Sequence, residues 1–194
     1  MPKLIDHEGR QQEIAEAVWR VIRRDGVSAV SVREVAAEAG LSSGSLRHVF
    51  ASKAELLAYS MQLVHVRARE RIIAHVSITD PRSRALAILE EVLPLDETRQ
   101  CEMEVNLALV SEVPGHPTLR TIALDAHNAL RAACALALDG LSRNGLFDSA
   151  RSVEDEALRL HALIDGLAMH LVLGDNDSSE VAAKTLAAHI DGLA

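Results

Sequence analysis

Two capping boxes bracket a glycine between residues 31 and 55. Ser31-Val32-Arg33-Glu34 and Ser52-Lys53-Ala54-Glu55 each put a hydroxyl at a helix start and a carboxylate three residues on. In such a box the hydroxyl accepts from the N3 amide, and the carboxylate reaches back to the cap amide. Between the boxes, Gly40 stops one helix and Ser42 caps another, with Leu41 as an apolar plug in the turn. The stretch from Ser31 to Ser52 is therefore predicted to hold two short helices joined by a tight turn.

A first helix is predicted from Glu8 to Asp25, burying Ile14, Ala17, Val18, Val21 and Ile22, with Gly26 as a left-handed stop. Val27 to Val30 connects it to the second helix, which turns Val32, Val35 and Ala36 inward. Three helices in this order make a tri-helical helix-turn-helix. In that arrangement the second helix braces on the DNA backbone and the third lies in the major groove. The third helix, Ser42 to Val49, opens with small polar residues that allow close approach, and its free amides face phosphate. Arg47 can donate in bidentate fashion to guanine or to a phosphate. Leu46 and Phe50, one turn apart, hold this helix on the other two. The candidate DNA-contacting residues are Ser31, Arg33, Ser42, Ser43, Gly44, Ser45, Arg47, His48 and Lys53. The plainer reading makes Ser31 and Ser42 caps and leaves Arg47 and His48 as ordinary solvated side chains.

From Ser52 onward the helices lengthen. The fourth is predicted to reach Ile78, with Leu57, Met61, Val64, Ala68, Ile72 and Val76 on one face. A fifth starts at Asp80-Pro81 and ends near Leu93, and a sixth runs from Asp96 to Val113. The last three are expected over 117–141, from Ser152 to about Gly174-Asp175-Asn176, and over 179–193. The fold class is all-α with about nine helices. A helix-turn-helix domain, residues 1–52, precedes a larger ligand-binding and dimerisation domain, residues 53–194.

The run from Arg33 to Glu55 resembles the TetR family of regulators. The matching residues are Ser31-Val32-Arg33-Glu34-Val35-Ala36, then Ala39-Gly40-Leu41-Ser42-Ser43-Gly44-Ser45-Leu46, then Phe50, Ser52, Lys53, Glu55, Leu56 and Leu57. Two positions depart from the family: Arg47 stands where it usually has tyrosine, and Val49 where it has histidine. Leu158 to Ala168 is similar to the dimerisation helix of the BetI-like branch. The resemblance implies an all-α homodimer whose last two helices form a four-helix interface, and a body holding a small-molecule pocket. It also favours a repressor.

Charge and composition narrow the partners. The formal net charge of −8 lies entirely beyond Glu55: residues 1–55 hold eight basic and eight acidic side chains, and the rest hold 12 and 20. Leu41 to Ala54 has Arg47, His48 and Lys53 and no acid, so a local surface can be electropositive on an acidic protein. No apolar run approaches the ~18–20 residues of a membrane span, and the N-terminus has no apolar signal core. Cys101 and Cys134, at no metal-like spacing, are read as reduced core residues of a cytosolic protein.

Leu158 to Leu173 is apolar nearly all round, which requires burial on more than one face. Gly166 within it implies close helix approach. Leu163, Gly166, Leu167, His170, Leu186 and Ile190 are the expected dimer contacts. Met61, His65, Met103, Asn106, His127, Cys134, His161, Asp165 and Met169, polar or soft residues on apolar faces, are the expected pocket residues. His161 and Asp165, at i and i+4, can form an internal ion pair. Only 2% of residues are aromatic, which weighs against a quaternary-ammonium cage and leaves an apolar or aliphatic-acid ligand open. Gly40-Leu41-Ser42-Ser43-Gly44 fits the G-x-S-x-G nucleophile motif, but that motif needs a strand before it, and a helix stands there. No cofactor, no metal and no catalytic residue is expected. The partners are operator DNA, a small-molecule effector and a second copy of the chain, with no membrane. The alternative is a helical dimeric adaptor or ligand-binding protein that does not touch DNA.

Overall fold

The computed structural model describes residues 7–174 and 178–194. Among the described residues there are nine α-helices and no strand: α1 (His7–Asp25), α2 (Val32–Glu38), α3 (Ser43–Val49), α4 (Lys53–His75), α5 (Pro81–Glu90), α6 (Glu97–Ser111), α7 (Pro117–Arg143), α8 (Val153–Leu173) and α9 (Ser179–Asp191). Short 3₁₀ turns occupy Val27–Ala29 and Val113–Gly115. Asp175 and Asn176, expected at the end of α8, lie outside the described residues.

The chain divides into two compact units. The first holds residues 1–65 and 104–124, and the second 66–103 and 125–194. In the first unit α1 packs on both α2 and α3. Ile14, Ala17, Val18, Val21, Val35, Leu46, Leu56, Leu57 and Met61 are sealed from solvent there. Each fully buried side chain of Leu or Ile size stabilises the unit by roughly 1.5–3 kcal/mol. Trp19 on α1 donates from Nε1 to the Ser60 carbonyl on α4 at 3.2 Å, so the indole is buried with its polar atom satisfied. Arg23 reaches Glu104 at 2.7 Å. In the second unit Leu89, Leu93, Leu138, Leu141, Leu160, Ile164, Leu186 and Leu193 form the core, with α9 packed on α5 and α8.

The expected stops and caps hold in most places, with physical reasons where they differ. Gly26 has φ +83 but ψ 166, so it takes a positive φ without the left-handed helical conformation. Ser31 Oγ accepts from the Glu34 amide at 3.1 Å, while the Glu34 carboxylate takes a guanidinium hydrogen bond from Arg24. A charged donor outcompetes the neutral cap amide. The second box closes one residue early: Glu55 accepts from the Ala51 amide at 2.8 Å. Asp80, Asp96 and Ser152 each accept from the amide three residues on, as the cap reading requires. Helix α4 ends at His75 rather than Ile78, and Val76 beyond it is 51% exposed, not on the buried face. Helix α5 ends at Glu90, ahead of Leu93, which is nevertheless buried. Helix α6 ends at Ser111, α7 runs two residues past Leu141, and α9 ends at Asp191.

Candidate nucleic-acid interface

The turn before α3 sets its direction. Gly40 has φ +66, the Leu41 amide reaches back to the Ala36 carbonyl at 2.8 Å, and the Gly40 amide to that of Ala37 at 3.1 Å. This pair of reverse bonds closes α2 and needs a left-handed residue between helix and turn. Ser42 then caps α3, its Oγ accepting from the Ser45 amide at 3.0 Å and lying 2.9 Å from the Ser45 hydroxyl. Leu46 and Phe50 are buried, and the Phe50 ring lies 5.3 Å from that of Tyr59. With that side anchored, Ser43, Gly44, Ser45, Arg47 and His48 all stand exposed on the other. Ser31 and Arg33 are exposed and Lys53 is half-buried. A Cβ at Gly44 would meet only Ser42 Oγ, at 3.7 Å, so the chain itself has room for a side chain there.

Charge pairing separates two groups of cations. On α1, Arg20 and Arg24 converge on Glu38 at 2.7 Å each, Arg24 also binds Asp25 and Glu34, and Arg10 binds Glu13. The guanidiniums of Arg24 and Arg20 hold the Glu38 carboxyl below its ordinary range. Arg33, Arg47 and Lys53 have no ion pair among the described residues. These three cations, at the start of α2, on α3 and at the start of α4, can therefore meet phosphate or base edges without first giving up an internal partner.

The residues expected to line a pocket fall into two sets. In the first unit Met61 is sealed in the core, and His65 Nε2 lies 2.9 Å from Asn106 Oδ1, so that nitrogen carries the proton. Burial pushes the His65 imidazole down, against the pull of Asn106. In the second unit the His127 and His161 rings lie with centroids 4.5 Å apart and planes tilted by 43°, and His161 Nε2 lies 3.4 Å from Asp165 Oδ2. Burial, aided by the Asp165 charge, pushes the Cys134 thiol up to about 12, so it stays protonated. Met103 packs against the core of that unit, whereas Met169 is 42% exposed.

Residues 14–59 match the model described as bacterial regulatory proteins, tetR family, and residues 81–194 match that of the BetI-type transcriptional repressor C-terminal domain. The chain belongs to the TetR family. It is 39% identical over 176 residues to the HTH-type transcriptional regulator PksA of Bacillus subtilis, covering 89% of this chain and 83% of that protein. Among solved structures, a transcriptional regulator from Saccharomonospora viridis in complex with choline is 27% identical with a TM-score of 0.86, over 95% of this chain and 96% of that one. One from Rhodococcus sp. Rha1 is 27% identical with a TM-score of 0.82, over 94% and 95%. This TetR-family chain is a helix-turn-helix transcriptional regulator, and the helical adaptor that avoids DNA is not favoured.

For a TetR-family member the expected dimer contacts need redrawing. Leu167, Leu186 and Ile190 are 8%, 0% and 3% exposed inside their own protomer, so they cannot be the surface a partner covers. Leu163 packs partly against the same core, and His170 is exposed. Among the described residues a Cβ at Gly166 would meet nothing within 4 Å, so none of them makes the close approach expected there. The exposed apolar side of α8 consists instead of Leu158, Ala162, Met169 and Leu173. Helical periodicity predicts that one face is buried, and here the core took the predicted one.

One cluster escaped the sequence reading. Arg71 on α4 donates to Glu91 on α5 at 2.8 Å and grips Glu102 on α6 with both terminal nitrogens, at 3.3 and 2.8 Å. His75 adds a contact to Glu91 at 2.9 Å, and Arg99 another at 3.6 Å. Glu102 is 3% exposed, a depth at which an unpaired carboxylate is not tolerated. Its partner stands 31 positions away, at no helical spacing, so nothing in the sequence marked it.

Proposed function

We propose that the protein binds operator DNA as a homodimer and represses transcription until a small-molecule effector releases it. One observation carries the DNA contacts: Arg33, Arg47 and Lys53 lack acid partners among the described residues, while Arg20, Arg23 and Arg24 of α1 are all paired. Residues 1–52 act as the reading domain, and residues 53–194 bind the ligand and dimerise. Arg47 donates to guanine or phosphate, with Ser43, Gly44, Ser45 and His48 beside it in the major groove. Arg33 and Lys53 take phosphates. Ser31 and Ser42 serve first as helix caps and present what remains of their hydroxyls to the backbone. Arg47 brings a full charge where the family usually has a tyrosine, so its operator preference differs from theirs.

The dimer forms through α8 and α9, on the side of α8 that bears Leu158, Ala162, Met169 and Leu173. The effector meets polar groups of one unit, either His65–Asn106 or His127–His161. The choline complex of the Saccharomonospora viridis relative supports a small-molecule role for this domain. The aromatic side chains here are Trp19, Phe50, Tyr59 and Phe147, too few in the body for a quaternary-ammonium cage, so an apolar or aliphatic-acid effector fits better. The protein has no catalytic role and works in the cytosol, in keeping with Cys101 and Cys134, neither of which forms a disulfide. No described helix is long and apolar enough to cross a membrane.

The test is selection of duplexes from a random-sequence pool, then titration of the selected and scrambled DNA. The selected duplex is expected to bind ~10³-fold or more tightly than the scrambled one. Arg47→Ala should abolish most of that preference. A pool that yields no preferred sequence would overturn the regulator reading.

A further inference from the structure

The exposed stripe of α8 carries one charge at its middle. Leu158, Ala162, Asp165, Met169 and Leu173 all stand exposed on one side of the helix, and the Asp165 side chain is 63% exposed. The stripe is bounded by residues 158 and 173, so its midpoint falls at Asp165 and Gly166. Among the described residues, nothing lies within 4 Å of where a Gly166 Cβ would stand.

In a two-fold contact a patch meets its own copy. Two copies of α8 paired through this stripe bring their midpoints, and therefore both Asp165 carboxylates, towards the axis. Two carboxylates losing water together need a counter-charge. His161 lies one turn before Asp165, with Nε2 3.4 Å from Oδ2 and a side chain 4% exposed. The groups acting on it are Asp165 on its own helix and His127 and Arg131 on α7. The nearby Cys134 thiol stays neutral. In the single protomer, burial holds the His161 imidazole below its ordinary range, His127 and Arg131 add to this, and Asp165 opposes it. Unprotonated, it brings no charge of its own to offset Asp165.

We propose that dimer formation through α8 takes up a proton on His161 of each protomer, so that an imidazolium neutralises Asp165 at the two-fold axis. This rests on the α8 dimer proposed above. Because the dimer binds protons that the separate protomers do not, it tightens as pH falls.

The test is sedimentation equilibrium of the full chain at pH 6, 7 and 8. The dissociation constant of the dimer should rise at least ~10-fold from pH 6 to pH 8, since two protons are linked to one association. Asp165→Asn, at an exposed position, should fold normally, flatten the pH dependence and dimerise more tightly than the parent at pH 8. A flat parent profile, or a slope that survives Asp165→Asn, would overturn the proposal. Met169→Arg separates the two readings. If it leaves the dimer intact at every pH, the α8 face is wrong and the proton linkage falls with it. If it breaks the dimer while the parent profile is flat, the face stands and only the proton linkage fails.

Discussion

Replacing Gly44 with alanine should make the protein more stable and a worse DNA binder. Gly44 lies in the first turn of α3, and its φ is not in the left-handed region. The added methyl would meet only Ser42 Oγ, at 3.7 Å, an ordinary van der Waals contact. No strain opposes the change, so the helix gains the difference between the two residues, about 0.5–1 kcal/mol. For a chain of this size that raises the melting temperature by roughly 1–4 °C. The same methyl points away from the protomer, on the face that bears Arg47 and His48. If that face lies against the groove, the helix backbone must retreat and affinity should fall ~10-fold or more, a loss of about 1.4 kcal/mol. Differential scanning calorimetry and titration against the selected duplex measure the two effects. A lower melting temperature would refute the packing argument. An unchanged affinity would refute the placement of Gly44 at the interface.

Two further outcomes follow from buried polar groups. Arg71→Met leaves Glu102 buried without its partner and should lower stability by about 3 kcal/mol, while adding Glu102→Leu should recover most of that in urea denaturation; equal losses in the single and double variants would refute the ion-pair account. The folded-state pKa of His65 is depressed by burial, so its contribution is complete above the unfolded value of about 6.5 and is lost as pH falls below it. The urea midpoint should therefore drop between pH 7.5 and pH 5, and His65→Gln should drop less; identical drops would assign the acid sensitivity to other groups.

What was legible in the sequence was local. Gly40, Ser42 and Ser52 announce their turns because a left-handed residue and a hydroxyl cap act within four residues of themselves. Leu46 and Phe50 could be placed inward because helical spacing joins them. Partners across the fold were not legible. Leu186 and Ile190 were correctly apolar and inward, but an amphipathic pattern does not say whether its partner is the same chain or another. Arg71 and Glu102 lie on different helices, and Arg24 draws Glu34 away from its capping role through contacts that α1 and α2 make only once packed. Val76 continued the periodicity of α4 past the point where the helix ends.

Local pairing also explains how an acidic chain can hold DNA. A net charge of −8 acts only weakly at a distance, because salt screens exposed charges beyond about 8 Å at physiological strength. The sign of the field at the interface depends on which nearby charges are already neutralised. Glu38, Asp25 and Glu34 take Arg20 and Arg24, Glu104 takes Arg23, Glu13 takes Arg10, and Glu55 accepts a backbone amide. Their carboxylates are engaged inside the unit, while Arg33, Arg47 and Lys53 have no acid partner among the described residues. Three phosphate contacts per protomer, and about six per dimer, give a salt slope near −5 on a log–log plot of affinity against salt. Arg47→Ala should reduce its magnitude by roughly 2 if Arg47 binds phosphate in both protomers, and by much less if it reads a guanine edge. An affinity that does not vary between 50 and 200 mM salt would mean that the three cations do not meet the DNA backbone, and the charge argument would fail even if sequence preference survived.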